Sequence, residues 1–82
     1  MPYIKQEIRV AVLEGTPISA GELNYKITHA ITDYMEGKII NYEFLNGIVG
    51  ALECAKQEFY RRVLVPYEEQ KRFENGDVYA DE

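Results

Sequence analysis

A long helical pattern of apolar residues that ends at a proline constrains this chain most. Between Leu45 and Val63 apolar residues recur three or four positions apart, which predicts one face of an α-helix. That inward face consists of Leu45, Ile48, Val49, Leu52, Ala55, Phe59 and Val63. With Asn41 as its cap, a helix from Tyr42 to Val65 would be about 36 Å long, at 1.5 Å per residue. Part of its apolar face would therefore extend beyond the core of an isolated small domain.

Pro66 limits how far this helix can continue unchanged. Proline lacks a backbone N–H and its ring clashes with the carbonyl four residues earlier, which predicts a kink or restart at this position. Glu68 and Glu69 suit the first turn of a new helix, and Asn75–Gly76 suits its exit. We expect the last six residues to form an extended or frayed tail.

Two shorter helices are predicted ahead of the long one. The first runs from about Lys5 to Glu14 and stops at Gly15. Ser19 and Glu22 form a capping box for the second, which Gly37 ends. The apolar face of this second helix consists of Leu23, Ile27, Ala30, Ile31 and Tyr34. The sequence thus predicts an all-α fold, a small bundle of three helices in a single helical domain over residues 1–82.

Length and charge narrow the class of protein. A chain of 82 residues buries only about 60 to 65% of its unfolded surface, so its core is marginal and oligomerisation is a common remedy. The net charge of −5 disfavours nucleic acid as a partner. Cys54 is the single cysteine, and no signal peptide or run of eighteen apolar residues is present. We therefore expect a cytoplasmic protein without a membrane segment.

Several short motifs together resemble a known family. These are GELNY at residues 21–25, ECAKQEFYRRV at 53–63, which contains EFYRR, and PYEEQKRFENGDVY at 66–79, which ends in ENGDVY. The combination, with the opening MPYI, resembles a family of short proteins of unknown function in phages and bacteria. The resemblance implies a small, mostly helical protein that is intracellular or phage-encoded. It assigns no catalytic residue.

One flank of the long helix carries a candidate ligand site. At 100° per residue, Lys56, Tyr60, Tyr67 and Lys71 fall within roughly 60° of one another if the helix continues through Pro66. Their ammonium and phenol groups could hold a small phosphate-bearing ligand, and Arg61 could add a guanidinium fork. The alternative is that the lysine stems cover the core edge, the tyrosines pack there, and Arg61 pairs with Glu58 or Glu68.

Two glycines inside the long helix indicate a close helix crossing. Gly47 and Gly50 each cost about 1 kcal/mol relative to alanine, so we expect a compensating contact. Approach by the second helix or by a second copy of the chain would supply it. We accordingly predict a homo-oligomer interface at Gly47, Gly50 and Leu52.

The sequence contains no recognisable catalytic constellation. Helical pyrophosphatases of the nucleotide pool need two adjacent acids and a third four residues on, but Glu68 and Glu69 are followed by Arg72 at that position. No phosphate loop, zinc motif or Ser/His/Asp set occurs, and His29 lacks a second histidine for a metal site. We expect no enzyme activity, no metal and no cofactor.

These observations lead to two functional hypotheses. The first is a homo-oligomeric, non-catalytic protein that sequesters or senses a small nucleotide-like ligand and that a phage could encode. The second is a protein-interaction module, an inhibitor of a host enzyme or an assembly accessory, that uses an acidic, tyrosine-rich surface.

Overall fold

The structure is a computed structural model that describes residues 1–79, and these residues fold into helices joined by short turns. A 3₁₀ turn (Gln6–Ile8) leads into α1 (Arg9–Glu14), and α2 spans Ala20–Met35. Helix α3 (Tyr42–Phe59), a π-helical turn (Tyr60–Leu64) and α4 (Val65–Asn75) follow without a break. We refer to these last three pieces, residues 42–75, as the long helix. The described part of the chain contains no strand, which confirms the all-α prediction.

The contacts divide the chain into two compact units, of which the first is Met1–Asn41. Its core is Val12 on α1, which is 7% exposed. Arg9 links the N-terminal residues to α2, because its Nε donates to the Ile4 carbonyl at 3.1 Å while its guanidinium lies 5.7 Å from the Tyr25 ring. Helix α2 is further fixed by Lys26, whose Nζ donates to the Gly15 carbonyl at 2.6 Å.

The ends of α2 follow the predicted capping signals. Ser19 Oγ accepts a hydrogen bond from the Glu22 amide at 3.1 Å, which satisfies one of the free donors of the first turn. Glu22 Oε1 in turn accepts from the amide of Ile18 at 3.2 Å, one residue before the position usual in a capping box. Beyond Met35 the chain turns at Gly37, which has the left-handed φ of 74° expected of a helix-ending glycine.

The second compact unit begins at Tyr42 and contains the long helix. The sequence predicts the interruption near Pro66, and the structure confirms it as a π-helical turn that starts at Tyr60. The amide of Val65 donates to the Tyr60 carbonyl, five residues back. Because an α-helical turn would press the ring of Pro66 against the carbonyl of Arg62, a wider turn immediately ahead of the proline relieves that clash.

The end of the long helix also matches the sequence signals. Helix α4 stops at Asn75, and Gly76 has a φ of 88° while its amide donates to the Arg72 carbonyl at 2.9 Å. Residues 76–79 are not helical, and Asp77 Oδ1 accepts from the Tyr79 amide at 3.0 Å. Of the tail predicted over the last six residues, residues 80–82 lie outside the described part of the chain.

Candidate functional site

The structure brings Tyr67 and Lys71 of the predicted ligand site together. Lys71 Nζ lies 5.7 Å from the centre of the Tyr67 ring, one helical turn away on α4. The same ammonium lies 3.4 Å from Glu74 Oε1. Tyr67 is 61% exposed, so its ring is available to a ligand. This pair has the cation and the aromatic surface that the predicted site requires.

The other two residues of the predicted row lie on the near side of the π-helical turn. Lys56 is on α3 and forms an ion pair with Glu53 at 3.3 Å. Tyr60 is the first residue of the π-helical turn and is half exposed. Neither side chain is buried, so the lysine stem and the phenol ring do not pack into a core.

The π-helical turn changes the relative direction of these two pairs. A π turn holds one residue more than an α turn, so the residues after it lag by roughly the 100° that one residue occupies. The four side chains therefore spread over about 120° of the helix circumference, compared with about 60° in an uninterrupted α-helix. Tyr67 and Lys71 form one pair, and Lys56 and Tyr60 form another.

Arg61 forms the intrahelical ion pair that the sequence allowed. Its Nη2 donates to Glu58 Oε2 at 2.6 Å, and both side chains are more than half exposed. An exposed pair of this kind contributes only about 0.2 to 1 kcal/mol. The guanidinium therefore costs little to redirect toward a phosphate or a carboxylate.

A groove that the sequence did not predict lies between α4 and residues 76–79. It encloses about 690 Å³ and is open to solvent. The positive φ of Gly76 turns the chain back along α4, where Arg72 Nη1 lies 4.0 Å from Asp77 Oδ2. The sequence signal for this groove was the Asn75–Gly76 helix exit, although a turn alone does not define a groove.

The groove has a mixed electrostatic lining. Its two basic side chains come from α4, as do two acids; a third acid follows Gly76, and residues 78 and 79 complete the apolar wall. These lining residues are Glu68, Glu69, Lys71, Arg72, Asp77, Val78 and Tyr79. Lys71 thus belongs both to the predicted ligand site and to the groove.

The apolar face of the long helix is exposed along its length. None of the described residues of α3, the π-helical turn or α4 is buried. Its large apolar side chains on the predicted inward face are between 40% and 64% exposed, with Ile48 partly covered. They are Leu45, Val49, Leu52, Phe59 and Val63. A contiguous apolar surface of this kind is typical of a site of protein association.

The predicted interface residues divide between two sides of the long helix. Leu52 lies on the apolar face, whereas Gly47 and Gly50 are each roughly 140° to 160° away from it around the helix. A Cβ atom added at either glycine would meet no heavy atom within 4 Å in the described part of the chain. A neighbour that covers the apolar face would therefore not be the neighbour that crosses at the glycines.

Metal sites and membrane-spanning helices are two further features that the described residues could contain. Among residues 1–79, no three His, Cys, Asp or Glu side chains are grouped so that they could hold a metal ion. The helices within the same residues include none with the length and apolar character to cross a bilayer.

Comparison with family models identifies the family of this chain. A family model described as "Domain of unknown function (DUF6899)" matches residues 1–78. No curated protein and no solved structure matches the chain significantly. The resemblance to a family of unknown function, which the sequence motifs indicated, is thereby confirmed over nearly the whole chain.

Proposed function

Given that the chain belongs to the DUF6899 family, we propose that it is a non-catalytic, homo-oligomeric binding protein. The observation that supports this most strongly is the exposed apolar face of the long helix. Val12 is the buried residue of the described chain, and it belongs to the first unit. A partner surface on the long helix would bury apolar side chains that are exposed in one copy of the chain.

The balance between apolar burial and the cost of ordering the chain supports self-association. Full burial of one large apolar side chain contributes about 1.5 to 3 kcal/mol, whereas ordering each residue costs roughly 1.5 kcal/mol. The long helix has no fully buried side chain, so it gains only part of the first contribution to offset the second. Packing against another copy of the chain would supply this burial without a second kind of protein.

The mass of the protein in solution tests this proposal. We expect light scattering at micromolar concentration to give at least twice the 9.5 kDa mass of one chain. Replacement of Leu52 by Asp places a charge on the apolar face and should lower that mass. Asn46→Asp is the control, because it adds the same charge at an exposed position outside the row of large apolar residues. A 9.5 kDa species across the whole micromolar range would contradict the proposal.

For the ligand, we propose a small nucleotide-like molecule that the protein sequesters or senses. The pair of Tyr67 and Lys71 supports this, because the ring can stack on a base and the ammonium can meet a phosphate. The adjoining groove encloses about 690 Å³, and Arg72 adds a second cation to its lining, beside the acids Glu68, Glu69 and Asp77. The sequence also assigned Lys56, Tyr60 and Arg61 to the ligand; they lie on the near side of the π-helical turn, where Lys56 is a candidate contact only in a chain that has not paired through this face.

A titration with a matched control tests the ligand. Loss of one charge-assisted hydrogen bond, worth about 1.5 to 3 kcal/mol, should weaken nucleotide binding by Lys71→Ala roughly ten- to a hundredfold. Lys38→Ala is the control, because Lys38 Nζ also lies over a tyrosine ring, that of Tyr34 at 4.5 Å, in the other unit. Calorimetry with nucleotides and cyclic dinucleotides measures the affinity of both variants, and Arg61→Ala tests the contacts on the near side of the π-helical turn.

The contrary result is also informative. No heat and no thermal shift with any nucleotide-like ligand would exclude the ligand proposal but not the association of subunits. Equal losses in Lys71→Ala and Lys38→Ala would show that the effect is not specific to α4.

A second candidate function, a protein-interaction module, rests on the tyrosines. Six of the seven are at least half exposed: Tyr3, Tyr34, Tyr42, Tyr60, Tyr67 and Tyr79. Tyrosine is favoured at protein interfaces, and the acidic net charge would suit a basic partner surface. In this function the protein inhibits a host enzyme or assists assembly. With either function, the family resemblance supports a phage-encoded protein and the single cysteine a cytoplasmic one.

A further inference from the structure

Six residues of the long helix recur at alternating spacings of four and three. They are Leu45, Val49, Leu52, Lys56, Phe59 and Val63. This is the spacing of the two core positions of a coiled-coil heptad, in which one helix packs against another along a narrow seam. Five of the six are large and apolar, and each of those five is at least 40% exposed.

Lys56 is the exception in this row. It occupies a core position of the heptad, and a single lysine there lowers stability but selects one arrangement of the helices. Its ammonium lies 3.3 Å from Glu53, which is on the flank of the seam. The side chains of Lys56 and Glu53 are 71% and 47% exposed, so both can reach a second helix.

We propose that a second copy of the chain packs antiparallel on this seam, about a two-fold axis close to residue 54. This inference rests on the proposed self-association and adds its orientation and its contacts. With that axis Val49 faces the second copy's Phe59, and Leu52 faces its Lys56. Leu45 pairs with its Val63, which lies in the π-helical turn. The arrangement is isologous, as a two-fold dimer requires.

Charge decides between the two directions. In a parallel pair in register, Lys56 of each copy lies in the same layer, and the two ammonium groups repel each other across the seam. In the antiparallel pair each Lys56 lies against the second copy's Leu52, beside that copy's Glu53. Two lysines and two glutamates then surround the axis with opposite charges adjacent. The helix dipoles are also opposed in this arrangement, which is favourable.

Disulfide trapping tests the direction. In a Cys54→Ser background, Val49→Cys and Phe59→Cys chains should form a mixed disulfide when combined and oxidised, and neither should crosslink alone. In the antiparallel pair, position 49 of one copy lies about 15 Å along the axis from position 49 of the other. A disulfide requires Cα atoms within about 4.4 to 6.8 Å. Both positions lie in α3, away from the π-helical turn.

The outcomes separate this inference from the proposed function. A disulfide in either single variant alone would indicate a parallel pair and overturn the inference. Association by light scattering without any disulfide would overturn it too, while leaving self-association in place. A monomer would contradict both. The pair Leu45→Cys and Val63→Cys repeats the test if either first variant loses helicity by circular dichroism.

Discussion

Arg9 connects two parts of the first unit through a single side chain. Its Nε donates to the Ile4 carbonyl, and its guanidinium plane lies near the Tyr25 ring on α2. A hydrogen bond from a charged group contributes roughly 1.5 to 3 kcal/mol and an exposed cation–π contact about 0.5 to 1 kcal/mol. Both contacts lie within the first unit, where Arg9 stabilises the N-terminal residues against α2.

Replacement of Arg9 tests this role. We expect Arg9→Ala to lower the free energy of unfolding by about 2 kcal/mol, and Arg9→Lys to lower it by less, because lysine keeps the charge but cannot reproduce the guanidinium geometry. Arg61→Ala is the control, since its exposed pair with Glu58 should cost less than about 1 kcal/mol. Urea denaturation measures all three. Equal effects at positions 9 and 61 would contradict this assignment.

Among the helices, α3 has an unusual composition because two glycines interrupt its interior. Gly47 and Gly50 have ordinary helical φ values and open space where a Cβ would lie. Their cost of about 1 kcal/mol each relative to alanine is therefore not offset by a contact within the described chain. The sequence suggested a close crossing at these positions, and that crossing stays a prediction about a second copy.

Alanine at these glycines distinguishes the two surfaces of α3. If the partner packs on the apolar face, Gly47→Ala and Gly50→Ala should each stabilise the helix by up to about 1 kcal/mol and leave the mass in solution unchanged. If the partner crosses at the glycines, both variants, and Gly50→Leu most, should weaken the assembly. Gly76→Ala is a contrasting control, because its φ of 88° would strain any side chain. Thermal denaturation and light scattering give the two readouts.

At the scale of the whole molecule, the sequence predicted where helices end but not which apolar side chains are buried. Ser19, Gly37 and Gly76 fix helix ends through their own hydrogen bonds or dihedral angles, so the sequence alone identified those ends. Whether an apolar face is covered depends instead on distant or separate surfaces. The faces predicted to point inward are for that reason largely exposed, and the single-domain prediction remains untested beside the two compact units.

The candidate site shows the same division. Tyr67 and Lys71 lie one turn apart within α4, and their proximity follows from helical spacing that the sequence displays. Their relation to Lys56 depends on a π-helical turn, a backbone adjustment to Pro66 that apolar periodicity does not encode. The groove along α4 likewise depends on the path of residues after Gly76, which a turn signal alone does not specify.

The π-helical turn has a consequence for the proposed seam between two copies. The extra residue in the π turn shifts the side chains of α4 by roughly 100° around the helix axis. This shift places Tyr67 and Lys71 closer to the side of the long helix that bears Phe59 and Val63. The candidate ligand pair then continues the line of the proposed seam and, in the proposed antiparallel pair, would lie beside the start of the second copy's α3. Ligand occupancy and dimerisation would be thermodynamically linked: whatever factor a bound ligand adds to the dimerisation constant, dimerisation adds to the affinity for that ligand.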